Sequence, residues 1–334
     1  RVDRTGDARR VLMLLSLASV GAFGLFAVSA SLAWLWGCAF LFGCIYPPMH
    51  PILDAAAMQA AANGGFAYGR LRLVGSVSFL VVILAVGWWI ERSGSAIVWS
   101  LLLGGLVVTT AAAAGLPRRS AESSLMPIER APLWSLLRSW PFVLLLVAAA
   151  LIQGSHATYY NLSTVHWKAH GIDETAAGAL WAEGVFAEIV LLFVARDSVE
   201  KLRPTTLLML GGGAAVVRWI VIGSSTSLGV LVATNWLHAF TFTCTYLGSL
   251  RALERRVPAH QRSTAQGLLG ASTSGVGMVL GGVLGGFVYE RWAGRAFFLM
   301  AAFAALGTGL AAILRRQANR AQSTLASSAD TPPA

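Results

Sequence analysis

Charge is scarce in this sequence. Only 12% of the 334 residues are Asp, Glu, Lys or Arg, while 56% are hydrophobic. That leaves too little polar surface to wrap a water-soluble globule of this length, so most of the folded surface must meet lipid. Acid is scarcer than base, with 15 Asp and Glu against 25 Lys and Arg, a formal charge of +10. A nucleic-acid binder gathers such an excess on one face of a domain, whereas here it sits between apolar runs, which argues against a nucleic-acid partner. Cysteine is nearly absent: Cys38, Cys44 and Cys244 fall inside apolar stretches, without metal-ligand spacing or a disulfide framework, and read as small packing residues. There is no clustered nucleophile, no metal motif and no long catalytic loop. The opening stretch from Arg1 to Arg10 is polar and does not read as a cleavable signal peptide.

What the chain does contain is long apolar runs, near residues 11–29, 32–56, 71–91, 96–116, 140–162, 175–195, 204–222, 228–249, 264–288 and 295–314. Many reach the roughly 20 residues needed to cross about 30 Å of hydrocarbon as a helix. Backbone groups in lipid must be satisfied internally, so the expectation is an all-α polytopic membrane protein with ten spans. With the amino terminus in the cytoplasm, every Lys and Arg falls on the cytoplasmic side except Arg92, Lys168, Arg291 and Arg295 outside and Arg218 within a span. This asymmetry predicts that both termini are cytoplasmic. Tryptophans mark the edges, with Trp34, Trp36, Trp88, Trp89, Trp99, Trp167 and Trp292 near outer ends and Trp134 and Trp140 near an inner one. Trp181, Trp219 and Trp236 lie deeper, for packing or for ligand contact.

The longest internal hydrophilic connection, Pro117 to Ser139, carries Arg118, Arg119, Glu122, Glu129, Arg130 and three prolines, and reads as a linker. The expected organisation is a helix bundle over residues 1–116, a cytoplasmic linker over 117–139, a second bundle over 140–316 and a disordered tail rich in Ala, Ser and Pro over 317–334. Four spans precede the linker and six follow it, an uneven division for folds built from matched halves.

An ionisable side chain at mid-membrane costs on the order of 2.5–3.5 kcal/mol on insertion scales and calls for a partner or a function. His50 and Asp54 in the second span share a helix face, among Pro47, Pro48 and Pro51 that kink or break the helix. They either wall a cavity, or Asp54 pairs with Arg70 or Arg72 of the next helix. Gln153, His156 and Tyr160 project from one side of the fifth span, with Tyr159 beside them, and Asn235, His238 and Phe242 do so in the eighth. Glu188 in the sixth span lies on nearly the face of Trp181, whereas Glu183 points elsewhere. Glu188 near Arg218 of the seventh span either loads and releases a proton or forms a permanent ion pair tying two helices together. Gly277, Gly281 and Gly285 recur at intervals of four in the ninth span, a packing signal and not a nucleotide loop.

Several segments resemble a known family, the 3-phenylpropionate permease group of the major facilitator superfamily, relatives of the lactose-type proton symporters. They are Pro51-Ile-Leu-Asp54, Tyr68-Gly-Arg-Leu-Arg-Leu-Val-Gly-Ser76, Gly154-Ser-His-Ala-Thr-Tyr-Tyr160, Gly178-Ala-Leu-Trp181 with Glu188, and Leu237-His-Ala-Phe-Thr-Phe242 with Ala265-Gln-Gly267. Asp3-Arg-Thr-Gly6 with Arg9 and Arg10 resembles the loop between the family's second and third helices. The resemblance implies that ten of twelve family helices are present, the first two missing upstream, so four plus six becomes a truncated six plus six. It implies that the second, fifth and eighth spans line a central cavity. It assigns Asp54, Arg72, His156, Tyr160 and Asn235 to substrate binding and Glu188, Arg218 and His238 to proton coupling, with no second acid expected beside His238. The implied activity is secondary transport by alternating access, as proton-coupled symport of a small organic solute such as an aromatic carboxylate. A monomer in the cytoplasmic membrane would do this with H+ as the coupling ion and with no cofactor or metal. Two further readings stand beside it: a polytopic enzyme using His50 and Asp54 as acid and base on a lipid, and a fragment or sensor that does not transport.

Overall fold

A computed structural model describes residues 8–28, 31–50, 52–53, 56–57, 64, 68–116, 133–258 and 261–329. Every regular element among them is helical: α1 (Ala8–Gly24), α2 (Leu32–Ile45), α3 (Tyr68–Ser93), α4 (Ile97–Gly115), α5 (Leu133–Leu137), α6 (Trp140–Gly154), α7 (Ala157–Ala169), α8 (Glu174–Val194), α9 (Arg196–Lys201), α10 (Pro204–Ser224), α11 (Leu228–Asn235), α12 (Thr245–Glu254), α13 (Arg262–Gly270), α14 (Met278–Trp292) and α15 (Ala296–Ala329). Local chemistry sets several boundaries. Ser31 caps α2 by accepting the Trp34 N–H, Asp173 caps α8 by accepting the Ala176 N–H at 2.7 Å, and Pro204 opens α10 where no backbone donor is needed. α2 ends at Ile45, just before Pro47 and Pro48, so the run expected over 32–56 is not one unbroken helix.

Among the described residues, six stretches are long and apolar enough to cross a membrane: Ala8–Ala27, Ile97–Gly115, Trp140–Ala169, Glu174–Val194, Pro204–Ser224 and Thr264–Arg320. The last runs for 57 residues and contains the two spans read at 264–288 and 295–314, separated by a tight turn at Ala293–Arg295. The span read at 228–249 is helical but interrupted, because a π-helical turn over Ala239–Cys244 stands between α11 and α12. A second π-helical turn, Ala271–Gly277, joins α13 to α14. Such turns hold one extra residue and recur at functional sites.

The chain divides into two compact units, the first formed by Arg1–Val82 and Trp88–Ile128, the second by Ile83–Gly87 and Glu129–Ala334. In the first, α1 packs against α2 and α4 around Leu12, Met49 and Ala113. In the second, α10 lies along α15 and α12, and α6 packs on α15 and on the π-helical turn of Ala271–Gly277. One core of this unit gathers Phe142, Leu145, Leu208, Leu253 and Leu314, another Tyr159, Trp167, Trp219, Phe297 and Met300. Lipid offers no hydrophobic drive between helices, so close approach must come from small residues. Gly281 supplies it, because a side chain there would run into the Gly154 carbonyl. The outward rows are the reverse of a soluble protein's: Phe193 is 87% exposed and Phe40 76% exposed. Such surface is stable only against hydrocarbon.

Candidate functional site

At the centre of the second unit Arg218 is fully buried on α10. Its guanidinium donates from Nη1 to Nδ1 of His238 at 2.7 Å and from Nη2 to Oδ1 of Asn235 at 2.8 Å. Guanidinium has no lone pair to offer, so Nδ1 of His238 must be the acceptor and the ring is neutral with its proton on Nε2. That Nε2–H faces Oε1 of Glu188 on α8 at 3.0 Å. The imidazole thus bridges a buried cation and a carboxylate that is 20% exposed. α8 makes room for the ring at Gly184, where an added Cβ would stand 3.2 Å from the His238 ring.

Asn235, at the end of α11, is the hub on the other side. Its Oδ1 accepts from Arg218 and from the Tyr159 hydroxyl at 3.2 Å, and its Nδ2 donates to the Leu180 carbonyl of α8 at 2.8 Å. Every polar atom of this amide therefore has work to do in holding the guanidinium flat. The Arg218 guanidinium carbon lies 4.2 Å from the centre of the Tyr159 ring and 5.0 Å from that of Trp219, within cation–π range. Among the described residues its Nε alone has no hydrogen-bond partner.

His156 stands in the short break between α6 and α7. It is fully buried, with Nδ1 close to the Ile152 and Gln153 carbonyls and Nε2 3.0 Å from the Thr241 hydroxyl. Thr241 belongs to the π-helical turn and its hydroxyl oxygen also lies 3.2 Å from the His238 carbonyl oxygen, so His156 braces the segment that carries His238. Tyr160 stacks on His156 at 5.7 Å and on Trp181 at 5.9 Å, and the His238 ring lies parallel to Phe242 at 5.7 Å. Tyr160, Trp181 and Phe242 are half-buried, so part of each aromatic ring beside the polar cluster is exposed. Trp219 is tied in by its indole N–H, which donates to the Ser155 hydroxyl at 2.9 Å.

The structure thus brings together Glu188, Arg218, His238 and Asn235, with His156 and Tyr160 against them. Asp54 lies outside the described residues, and so does the side chain of Arg72, whose backbone belongs to α3. His50, in the first unit, is exposed and edge-on to Tyr46. Two participants escaped the sequence reading. Thr241 lies three residues beyond His238, and an ordinary helical wheel does not foresee a π-helical turn. Glu183 was expected to point away from the cluster, yet its carboxylate lies beside Asn235 and Trp236. The arrangement can hold a buried positive charge in a fixed place and vary the charge of its partner through one imidazole. Among the described residues no group of three or more His, Cys, Asp or Glu is placed to hold a metal ion.

Known proteins give this geometry its context. The chain is 29% identical over 309 residues to a probable 3-phenylpropionic acid transporter of Escherichia coli (strain K12), covering 90% of the chain and 78% of that relative. It is 26% identical to a maltose permease of Geobacillus stearothermophilus, covering 86% and 73%. Among solved structures, the nucleoside transporter NupG superposes with a TM-score of 0.76 at 14% identity over 92% of this chain and 82% of that one. A bacterial homolog of the human lysosomal transporter Spinster, inward-facing and unoccupied, gives 0.66 at 12% identity over 94% and 84%. These relatives and neighbours are transporters and not enzymes, and the shared architecture is the major facilitator fold. Residues 2–300 match the MFS_1 like family, and the chain belongs to that family of multi-pass membrane transporters.

Proposed function

We propose that the protein is a proton-coupled symporter of a small organic anion, an aromatic monocarboxylate, working by alternating access in the cytoplasmic membrane as a monomer with both termini in the cytoplasm. The observation that carries this reading is the continuous chain from Arg218 through neutral His238 to Glu188. With Glu188 ionised, the cation and the carboxylate balance through the imidazole. A proton on Glu188 leaves Arg218 without that counter-charge in a buried place, where a substrate carboxylate restores neutrality. Proton and anion therefore favour each other's binding, and by linkage the effect is reciprocal, typically about 1–3 kcal/mol or 5–150-fold in affinity. The substrate's ring finds the half-buried faces of Tyr160, Trp181 and Phe242. His156 and Asn235 position Tyr160 and Arg218. Asp54 and Arg72 are assigned to substrate binding by resemblance alone.

The relative named for 3-phenylpropionic acid supplies the first probe. In proteoliposomes with an alkaline interior, labelled 3-phenylpropionate should accumulate against its gradient, and dissipating the pH difference should abolish accumulation. Accumulation that persists without any pH difference would refute the proton role. A screen in which sugars or nucleosides accumulate and aromatic acids do not would refute the substrate class while leaving proton coupling standing.

A further inference from the structure

We propose that His166 and His170 form a binding site for a divalent transition-metal ion of the zinc or copper type at the carboxyl end of α7, apart from the Arg218 cluster. His166 lies seven residues beyond Tyr159, about 10 Å along the helix axis. The two imidazoles are four residues apart and share a helix face, with ring centres 4.5 Å apart and planes inclined by 58°. Two imidazole nitrogens on one metal at about 2.0–2.1 Å put their ring centres roughly 4.5–5 Å apart, so the observed spacing suits a shared ion.

Hydrogen bonding selects the nitrogen that would bind. Nδ1 of His170 lies 2.7 Å from the His166 carbonyl, which can only accept, so the proton is on Nδ1 and Nε2 keeps its lone pair. Nδ1 of His166 lies 3.2 Å from the Tyr289 hydroxyl of α14. When that Nδ1–H donates to Tyr289, the Nε2 of His166 is a lone pair as well. An oxygen behind each Nδ1 is the outer support that metal-bound histidines use. At Gly294 an added Cβ would stand 2.9 Å from Cε1 and 3.1 Å from Nε2 of His166, which is itself only 4% exposed, so only a residue without a side chain leaves room beside that edge of the buried ring. His170 is exposed and gives access from solvent, with water completing the coordination. Imidazole nitrogen favours zinc, copper and nickel over magnesium and calcium.

The test uses the whole chain, purified without a histidine tag, titrated calorimetrically with Zn2+ alone and examined with Cu2+ by electron paramagnetic resonance. One equivalent should bind, with coupling to two imidazole nitrogens. His170→Gln should weaken Zn2+ binding at least tenfold, and Tyr289→Phe by about tenfold through the lost support. Gly294→Ala should weaken it by crowding the ring. His50→Gln, in the first unit, should leave it unchanged. Because His170 is exposed, its variant should melt at the same temperature as the parent, which separates a lost site from a lost fold. Equal Zn2+ affinity in the parent and His170→Gln, or a copper spectrum without two nitrogens, would overturn the site.

Discussion

Glu188 and Arg218 have different jobs in this account, and substitutions should separate them. Glu188→Gln keeps the size and one acceptor for the His238 Nε2–H but cannot ionise. Accumulation driven by a pH difference should fall at least tenfold, while exchange of labelled for unlabelled substrate continues; loss of both activities together would assign Glu188 to substrate binding instead. Arg218→Lys keeps the charge but cannot donate to His238 and Asn235 from one rigid fork, so the KM should rise tenfold or more with protein still folded. Asn235→Ala removes the acceptor of both Arg218 and the Tyr159 hydroxyl. Buried groups left unpaired cost about 1–3 kcal/mol each, which a thermal melt in detergent will register as a clear drop. The sequence made the charged members legible, because ionisable residues inside apolar runs are few enough to name one by one. It did not disclose that His238 stands between Glu188 and Arg218, since that depends on three helices meeting. Nor did helical spacing reveal Glu183, which reaches the cluster through the end of α11.

At the scale of elements, the apolar runs were plain in the sequence and their interruptions were not. Pro47 and Pro48 announced a break, and α2 indeed stops before them. The π-helical turn at Ala239–Cys244 has no such marker: its residues are ordinary, and the extra residue is accommodated by contacts such as Thr241 with His156. The glycine spacing in the ninth span was legible as packing, and Gly277 and Gly281 do meet the backbone of α6 at Ala150 and Gly154. Gly281→Leu should therefore force α14 away from α6. Overpacking typically costs about 1–3 kcal/mol, so a lowered melting temperature is expected. Gly286→Ala is the control, as nothing among the described residues stands within 4 Å of an added Cβ there. Equal melting of the two variants would mean that this approach of α14 to α6 does not hold the unit together.

For the whole molecule, scarcity of charge was enough to place the chain in lipid, and the family followed from segments distributed along it. The number of crossings is less direct, because several expected spans are interrupted or fused in the folded chain. The orientation proposed from the basic residues can be read with single cysteines in a background where Cys38, Cys44 and Cys244 are replaced. A cysteine at Arg255 should react with an impermeant thiol reagent only from the cytoplasmic side, and one at Gly171 only from the other; the reverse pattern would invert the topology. The central claim is that substrate and proton move together through Glu188, Arg218 and His238. Its most direct measurement is the pH of a weakly buffered suspension of proteoliposomes when an aromatic carboxylate is added without any imposed gradient. The outside medium should turn alkaline with the parent protein and stay unchanged with Glu188→Gln, although that variant still exchanges substrate. Substrate entry by the parent protein with no change in external pH would contradict it.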